Sequence, residues 1–377
     1  MSFLKKLSLQ NFRCYDNALL EGLPSGLIVL QGVNGAGKTN ILEAVSLLTA
    51  GRGLRSAKAT DIQRNQSQNP WVISAIVETE GGDIPLGTGL NPENNRRQIR
   101  INGVTAKSQA ALSDYLAVLW LTPQMDRLFL EGSSGRRRFL DRMIFAFDSS
   151  HSGRVTRYEN AMRQRSKLLQ EDQQQESWLD SLEAQMAETA LAITAARVDF
   201  LEKLNASFID DANVTAYFPK ASIALTGTLE NDLHHKPALE VEESFKNTLK
   251  QVRPHDARVG GAKEGPHKTD LGVTYLTKEM PAAHCSTGEQ KALLISIVLA
   301  HSQLMRVDTG MPPVLLLDEI AAHLDEARRA ALFEQLQGLG GQVWMTGTDP
   351  VLFDSIAQKA QFFTIDSAQI LPRKLAA

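Results

Sequence analysis

The sequence predicts an α/β fold: a mixed sheet with flanking helices, built around a phosphate-binding loop and interrupted by an inserted helical lobe. Three observations predict it. The run Gly32-Val33-Asn34-Gly35-Ala36-Gly37-Lys38-Thr39 meets the pattern G-x-x-x-x-G-K-[ST] at every fixed position. An apolar run at residues 27–30 precedes that loop, and residues 40–48 follow it with apolar side chains at helical spacing, so strand, loop and helix come in the required order. Near the far end of the chain, Leu315-Leu316-Leu317-Asp318-Glu319 sets two carboxylates at the close of a second apolar run.

The N-terminal third reads as strands. Residues 4–12 partly alternate, and residues 71–78 are rich in β-branched and aromatic side chains. Residues 98–101 run into Asn102-Gly103, a pair that favours the tight type I′ hairpin turn. Residues 117–122 read as another strand, stopped by Pro123. The character then changes. From Arg136 to about Phe208 the chain is charged, Gln-rich and free of proline, with apolar positions such as Leu179, Leu182, Met186, Ala190 and Ile193 recurring near helical spacing. This predicts an inserted helical lobe with coiled-coil-like pairing, although sustained heptads are absent. Residues 260–266, Gly-Gly-Ala-Lys-Glu-Gly-Pro, carry the weakest structural signal. The last hundred residues alternate helix and strand. Residues 313–317 suit a central parallel strand and residues 341–346 a second one. Asp349-Pro350 marks a helix start, and no internal repeat is visible. The expected organisation is an ATPase lobe at 1–123, a mainly helical insert at 124–255, and the rest of the ATPase lobe at 256–377.

Composition narrows the function classes. At 377 residues two lobes are the natural division, and 43% hydrophobic with 22% charged residues is an ordinary globular mixture. The net charge of -3 excludes a general polycation, so nucleic acid would have to meet a local patch. Such a patch exists: residues 133–170 hold nine Arg or Lys against three acids. Arg136, Arg137 and Arg138 lead it as candidate contacts to a DNA backbone, and Arg52, Arg55 and Lys58 form a second candidate surface. Charge runs on helices are often only solvated faces, and the 136–138 run can equally pair with acids between lobes. No element looks like a base-reading helix, so recognition of DNA shape or junction is expected. Cys14 and Cys285 have neither disulfide nor metal spacing and read as buried free thiols in a reducing compartment. Residues 1–15 lack an apolar core, so no signal peptide is expected, and residues 292–300 are too short to span a bilayer. A soluble cytoplasmic protein is expected, with no membrane partner. The histidines, His234, His235 and His267 among them, lack metal-ligand spacing.

The chemistry expected of the motifs follows from their residue types. The glycines let backbone N–H groups turn inward onto an oxyanion; Lys38 can reach the β- and γ-phosphates of ATP, and the Thr39 hydroxyl can ligate Mg²⁺. Asp318 would hold Mg²⁺ and Glu319 would orient or deprotonate an attacking water. Ser286 and Glu289 have capping-box spacing ahead of an apolar helix, and a capped helix start with a Ser hydroxyl and the Gly288 N–H can receive an anion.

Residues 286–291, Ser-Thr-Gly-Glu-Gln-Lys, resemble the signature S-x-G-x-Q of the ABC-type ATPases, and His323-Leu324-Asp325 is similar to their D-loop. Leu9-Gln10-Asn11-Phe12-Arg13-Cys14-Tyr15, the segment Gly132 with Arg136-Arg137-Arg138-Phe139-Leu140-Asp141, and Gly265-Pro266-His267-Lys268-Thr269-Asp270-Leu271 resemble the opening, middle and G-P-H-R-x-D-L motifs of the RecF family. That family groups bacterial recombination mediators, short relatives of the SMC-type repair ATPases; Lys268 stands here for its Arg. The resemblance implies an ABC-type ATPase head. In it Lys38, Asp318, Glu319 and Ser286 carry the chemistry. Residues Gly32 to Asn40 with Arg13, Gly288 and Asp325 hold the nucleotide, and Thr39, Asp318 and Gln124 hold the metal. It further implies an ATP-dependent homodimer in which each loop faces the other copy's Ser286 segment. Slow hydrolysis, binding to duplex or gapped DNA, and RecR and RecO as partners in loading a recombinase complete the implied function. Two departures stand out. The run Met345-Thr346-Gly347-Thr348-Asp349 has no switch His, leaving Thr346 or Thr348 in its place, and Gln124 sits where the family usually has an acid.

Other ATPase readings fit less well. In transporter motors the signature follows the loop far sooner than Ser286 follows Lys38. After Glu319 too little chain remains for a nuclease's extra metal domain, and full SMC arms need far longer heptads than this chain holds. A simple kinase gives no account of residues 286–291.

Overall fold

The computed structural model describes residues 2–65, 67–171, 176–210 and 217–372. The Gln run at 173–175 lies outside the described residues. The chain divides into two units: unit 1 takes the described residues of Met1–Asp126, Asn213–Pro219 and Ser286–Ala377, and unit 2 those of Arg127–Ala212 and Lys220–Cys285.

Unit 1 opens with β1 (Phe3–Phe12), β2 (Tyr15–Glu21), β3 (Leu27–Gln31) and α1 (Lys38–Ser46). Then come β4 (Val72–Thr79), β5 (Gly82–Asn91), β6 (Arg96–Ile101), β7 (Val104–Thr105) and β8 (Val118–Leu121). Unit 2 holds α2 (Ser133–Phe147), α3 (His151–Gln170), α4 (Glu176–Asp210), β9 (Ala221–Thr226), α5 (Thr228–His235), α6 (Ala238–Gln251), α7 (Arg253–Val259), β10 (Asp270–Tyr275) and β11 (Met280–Pro281). The chain returns to unit 1 with α8 (Thr287–Thr309), β12 (Val314–Leu317), α9 (Glu326–Leu339), β13 (Val343–Gly347), β14 (Ala360–Asp366) and β15 (Gln369–Pro372).

Unit 1 is built on two sheets. One has the order β15-β14-β3-β13-β12-β8 and is parallel from β14 to β8. Its central strands β3, β12 and β13 are buried at every residue, which explains why they read as unbroken apolar runs rather than alternating ones. Parallel strands deliver their C-terminal ends to one edge, where ligands of such sheets bind. The pairings Gly347↔Gln31, Leu317↔Met345 and Leu317↔Leu121 therefore bring the ends of β3, β13, β12 and β8 together, although the sequence scatters them. The other sheet is antiparallel, in the order β2-β1-β4-β5-β6-β7. Its β6–β7 hairpin turns at Asn102 (φ 51) and Gly103 (φ 78), the two positive angles that a type I′ turn demands. Both sheets feed one core with Leu4, Leu7, Leu9, Ile28, Leu30, Trp71 and Trp344. Gln342 ties the two sheets: its amide donates to Leu4 O and Pro24 O and accepts from Leu4 N and Trp344 Nε1, so this buried polar side chain is satisfied on both sides.

In unit 2, α3, α4 and α6 share a core of Tyr158, Ala161, Leu182, Met186, Ala190, Val241 and Phe245. Sequence places 256–285 with the ATPase lobe; the structure puts those residues in unit 2, because β10 pairs antiparallel with β9 from Asp270↔Thr226 to Tyr275↔Ala221. Residues 260–266 form no regular element, yet Gly265 and Pro266 are buried. A Cβ on Gly265 would stand 2.2 Å from the Tyr158 hydroxyl, and Arg197 donates to Pro266 O at 2.7 Å. Two smaller corrections apply. Cys14 is exposed rather than buried. The element at Asp349-Pro350 is a single short 3₁₀ stretch, Pro350–Ile356, capped as expected by the Asp349 side chain on Val351 N.

Candidate nucleotide-binding site

The loop between β3 and α1 is shaped by what packs against it. A Cβ on Gly32 would lie 2.1 Å from Ile365 O, so no other residue fits that approach. Gly37, at φ 116, is the N-cap of α1, and a Cβ there would meet the Tyr15 hydroxyl at 2.6 Å and Cys14 Sγ at 2.9 Å. Tyr15 donates to Gly37 O at 3.2 Å, fixing the last turn of the loop. Lys38 is only 4% exposed, and its ammonium donates to Gly32 O at 2.6 Å and Val33 O at 3.0 Å. Burial lowers its pKa, while the Glu319 and Asp318 carboxylates pull the other way. Val33, Asn34 and Gly35 form the exposed crown of the loop, and Ala36 is buried beneath it.

The ends of β12 and β13 and the start of α1 meet at the carboxylates. The Thr39 hydroxyl, at the start of α1, donates to Asp318 Oδ1 at 3.0 Å and Oδ2 at 3.1 Å. Thr346, fully buried near the end of β13, donates to Asp318 Oδ1 at 2.8 Å and accepts the Glu319 N–H at 2.9 Å. Glu319 itself is left-handed at φ 52, a conformation that costs a non-glycine residue about 1 kcal/mol or more and tends to mark working sites. Thr346 thus clamps the Asp318-Glu319 corner from both sides. The sequence offered it only as a stand-in for the missing switch His; its hydroxyl spacing to β12 has no local signature. Thr346→Val, nearly isosteric, leaves the Glu319 N–H unpaired and takes one of two hydroxyl donors from Asp318 Oδ1, and ATP turnover is expected to fall by roughly 10- to 100-fold in a phosphate-release assay, with Thr346→Ser recovering most of it.

Arg13, expected at the nucleotide, is held by protein groups. Its Nε and NH2 bond the two Glu43 oxygens at 2.9 and 2.6 Å, and its NH1 donates to Asp61 O at 2.7 Å. Glu43 is fully buried in α1 and takes a second cation, Arg55, at 2.9 Å. Arg55 also donates to Asn40 Oδ1 at 2.7 Å. Arg13 and Arg55 therefore anchor the helix that follows the loop. Asn40 donates to Cys14 Sγ at 3.1 Å as well, so both faces of its amide are held.

The other expected residues lie in the same unit. Ser286 caps α8 in a reciprocal box: its Oγ receives Glu289 N and its own N–H and hydroxyl reach Glu289 Oε2 at 2.9 and 2.8 Å. Gly288 is exposed and a Cβ there would meet nothing within 4 Å. Asp325 caps α9 on Arg328 N at 2.9 Å and stays 60% exposed. Gln124 is exposed just beyond β8, the edge strand next to β12.

A family model described as the RecF/RecN/SMC N terminal domain matches residues 3–367. The chain belongs to this family. DNA replication and repair protein RecF of Mesorhizobium japonicum is 47% identical over 371 residues, which is 98% of this chain and 97% of that one. RecF of Brucella suis biovar 1 is 48% identical over 369 residues, 97% and 95% of the two chains. Among solved structures, the recombination mediator RecF with ATP, of the RecFOR pathway, gives a TM-score of 0.86 at 23% identity over 99% of this chain and 98% of that one. An Smc head domain from Pyrococcus furiosus, bound to part of ScpA, gives 0.56 at 17% identity, covering 100% and 97%. The fold is that of the RecF and SMC heads.

The RecF-type segments of unit 2 bind each other. Arg136 pairs with Asp270 through Nε at 2.7 Å and NH2 at 2.9 Å. Arg137 donates to Thr269 O at 2.7 Å and Ser133 Oγ at 2.8 Å. Asp141 receives Arg197 on both oxygens, at 2.9 and 2.8 Å, and His151 at 2.9 Å. The hydrogen bonds from Arg136 hold Asp270 below its usual carboxylate range. Of the five arginines considered for DNA, Arg136 and Arg137 are thus occupied inside unit 2 and Arg55 in unit 1, whereas Arg52 and Arg138 are exposed. Among the described residues no helix is long and apolar enough to cross a membrane.

Proposed function

We propose that this RecF-type chain is an ATP-driven, dimerising DNA clamp that acts as a switch in repair at single-strand gaps. The observation that supports it most is the Thr39–Asp318–Thr346–Glu319 cluster, which gathers the phosphate loop's helix, the carboxylates and β13 from distant parts of the chain into one set of hydrogen bonds. In this reading the loop N–H groups from Gly35 to Asn40 take the phosphates. Lys38 exchanges the Gly32 and Val33 carbonyls for the β- and γ-phosphate oxygens. Glu319 orients the attacking water and accepts its proton. The hard oxygens of Thr39 and Asp318 suit Mg²⁺, and the Gln124 amide oxygen, from the chain just after β8, would be a further ligand. Among the described residues no set of three or more His, Cys, Asp or Glu could cage a metal alone, and Mg²⁺ at phosphates needs only one or two protein ligands. The metal would supply charge neutralisation of the phosphate oxygens.

Ser286 and Gly288 at the start of α8 would face the γ-phosphate held by a second copy, and Asp325 would cross the same interface. Arg138 and Arg52 would meet the DNA backbone, with RecR and RecO as partners in recombinase loading and hydrolysis weak and DNA-stimulated. Ser286→Arg sets a large cation at that contact. Light scattering should show a monomer in ATP for this variant against a dimer for the unsubstituted protein, while a fluorescent ATP analogue still binds it. A Ser286→Arg protein that dimerises normally in ATP rules out the shared pocket.

A further inference from the structure

Unit 1 carries a cleft of about 430 Å³ that no motif announced, formed by the β5–β6 turn, β6 and the segment after β7. Its rim is cationic. Arg96 and Lys107 line it, both exposed, and among the described residues neither meets an acid. Residues 91–109 hold four Arg or Lys against one acid, Glu93, in a chain of net charge -3. Alternation along β6 sets Arg96, Gln98 and Arg100 on one face, about 6.6 Å apart from one to the next. Gln98 is steadied there by its bond to Thr105 Oγ1 at 3.1 Å.

The floor is tied to the far end of the helix that follows the phosphate loop. Arg97 points the opposite way from Arg96 and closes the end of α1, donating to Leu47 O, to Thr49 O at 3.0 Å and to Gly51 O at 2.6 Å. Gln109 Oε1 receives Gly51 N at 3.1 Å and Arg97 NH1 at 3.4 Å, joining the cleft wall to the same carbonyl turn. The lining has no aromatic side chain, so it offers no platform for unstacked bases.

We propose that this cleft docks the phosphodiester backbone of duplex nucleic acid, with Arg96 and Lys107 as its phosphate contacts and Arg97 and Gln109 linking its floor to the helix behind the phosphate loop. The proposal rests on the DNA-binding reading above but names a surface apart from Arg138 and Arg52. The test is anisotropy of a labelled duplex titrated with ATP-bound protein across a salt series. Arg96→Glu with Lys107→Glu should weaken binding at least roughly tenfold and flatten the slope of log affinity against log salt by about two. The milder Arg96→Gln with Lys107→Gln should move in the same direction, with melting temperature as the control for folding. Unchanged duplex affinity and slope in both variants, with the unsubstituted protein binding normally, overturns the cleft and leaves DNA binding standing. No duplex binding by the unsubstituted protein overturns both. A loss confined to single strands or to inorganic phosphate assigns the cleft to another ligand and also overturns the proposal.

Discussion

Glu319→Gln is expected to lower ATP turnover by roughly 10²–10⁴, the range for removing a general base, while ATP binding and ATP-driven dimerisation survive. The substitution keeps the side-chain volume and leaves intact what holds the corner. The Glu319 N–H still reaches Thr346, and Asp318 still accepts from Thr39 and Thr346. Only the proton acceptor is lost. Single-turnover hydrolysis with an excess of protein checks this directly. A fall of less than about tenfold means that another group, or water alone, takes the proton.

The second large effect concerns unit 2. Arg165 is completely buried and spends its guanidinium on three partners: Glu183 Oε1 at 2.8 Å, Asp256 Oδ2 at 2.7 Å and Leu249 O at 2.6 Å. Glu183 is also held by Arg253, and both acids are 1% exposed. The network joins α3, α4, the end of α6 and α7. Truncation as Arg165→Ala strands the Asp256 carboxylate and a carbonyl in the interior, at a cost of about 3–5 kcal/mol. For a unit of this size that corresponds to a drop in Tm on the order of 10 °C by calorimetry. Arg165→Lys should recover little, because one ammonium cannot serve three fixed acceptors spread around a planar fork. A shift of only one or two degrees would mean that the buried acids find other partners.

Local sequence logic captured what local geometry determines. The loop at 32–39 was legible because strand, glycines and helix are adjacent in the chain, and the Ser286–Glu289 box because its two members are one helical turn apart. The Asn102-Gly103 hairpin followed from backbone preference alone. Partnerships across the chain were not legible. Nothing near Arg13 in sequence announces Glu43, thirty residues on, whose carboxylate its guanidinium grips on α1. The bonds of Arg136 to Asp270 and of Arg137 to Thr269 O turn two of the three arginines at 136–138 into internal scaffolding. The limit of the ATPase lobe was misplaced for the same reason, since β9 and β10 pair across more than forty intervening residues. The basic cleft went unnoticed because Arg96 and Lys107 become neighbours only once β6 and β7 fold back.

The central claim, that each nucleotide is completed by a second copy of the chain, is tested most directly by mixing two inactive proteins. Lys38→Ala lacks the phosphate lysine, and Ser286→Arg lacks a usable partner face. Mixed in equal amounts, they can form a dimer in which one site has both an intact loop and an intact Ser286 segment. ATP hydrolysis should reappear in the mixture, well above either parent measured alone. A mixture no more active than its parents, although the two proteins associate, would contradict the account.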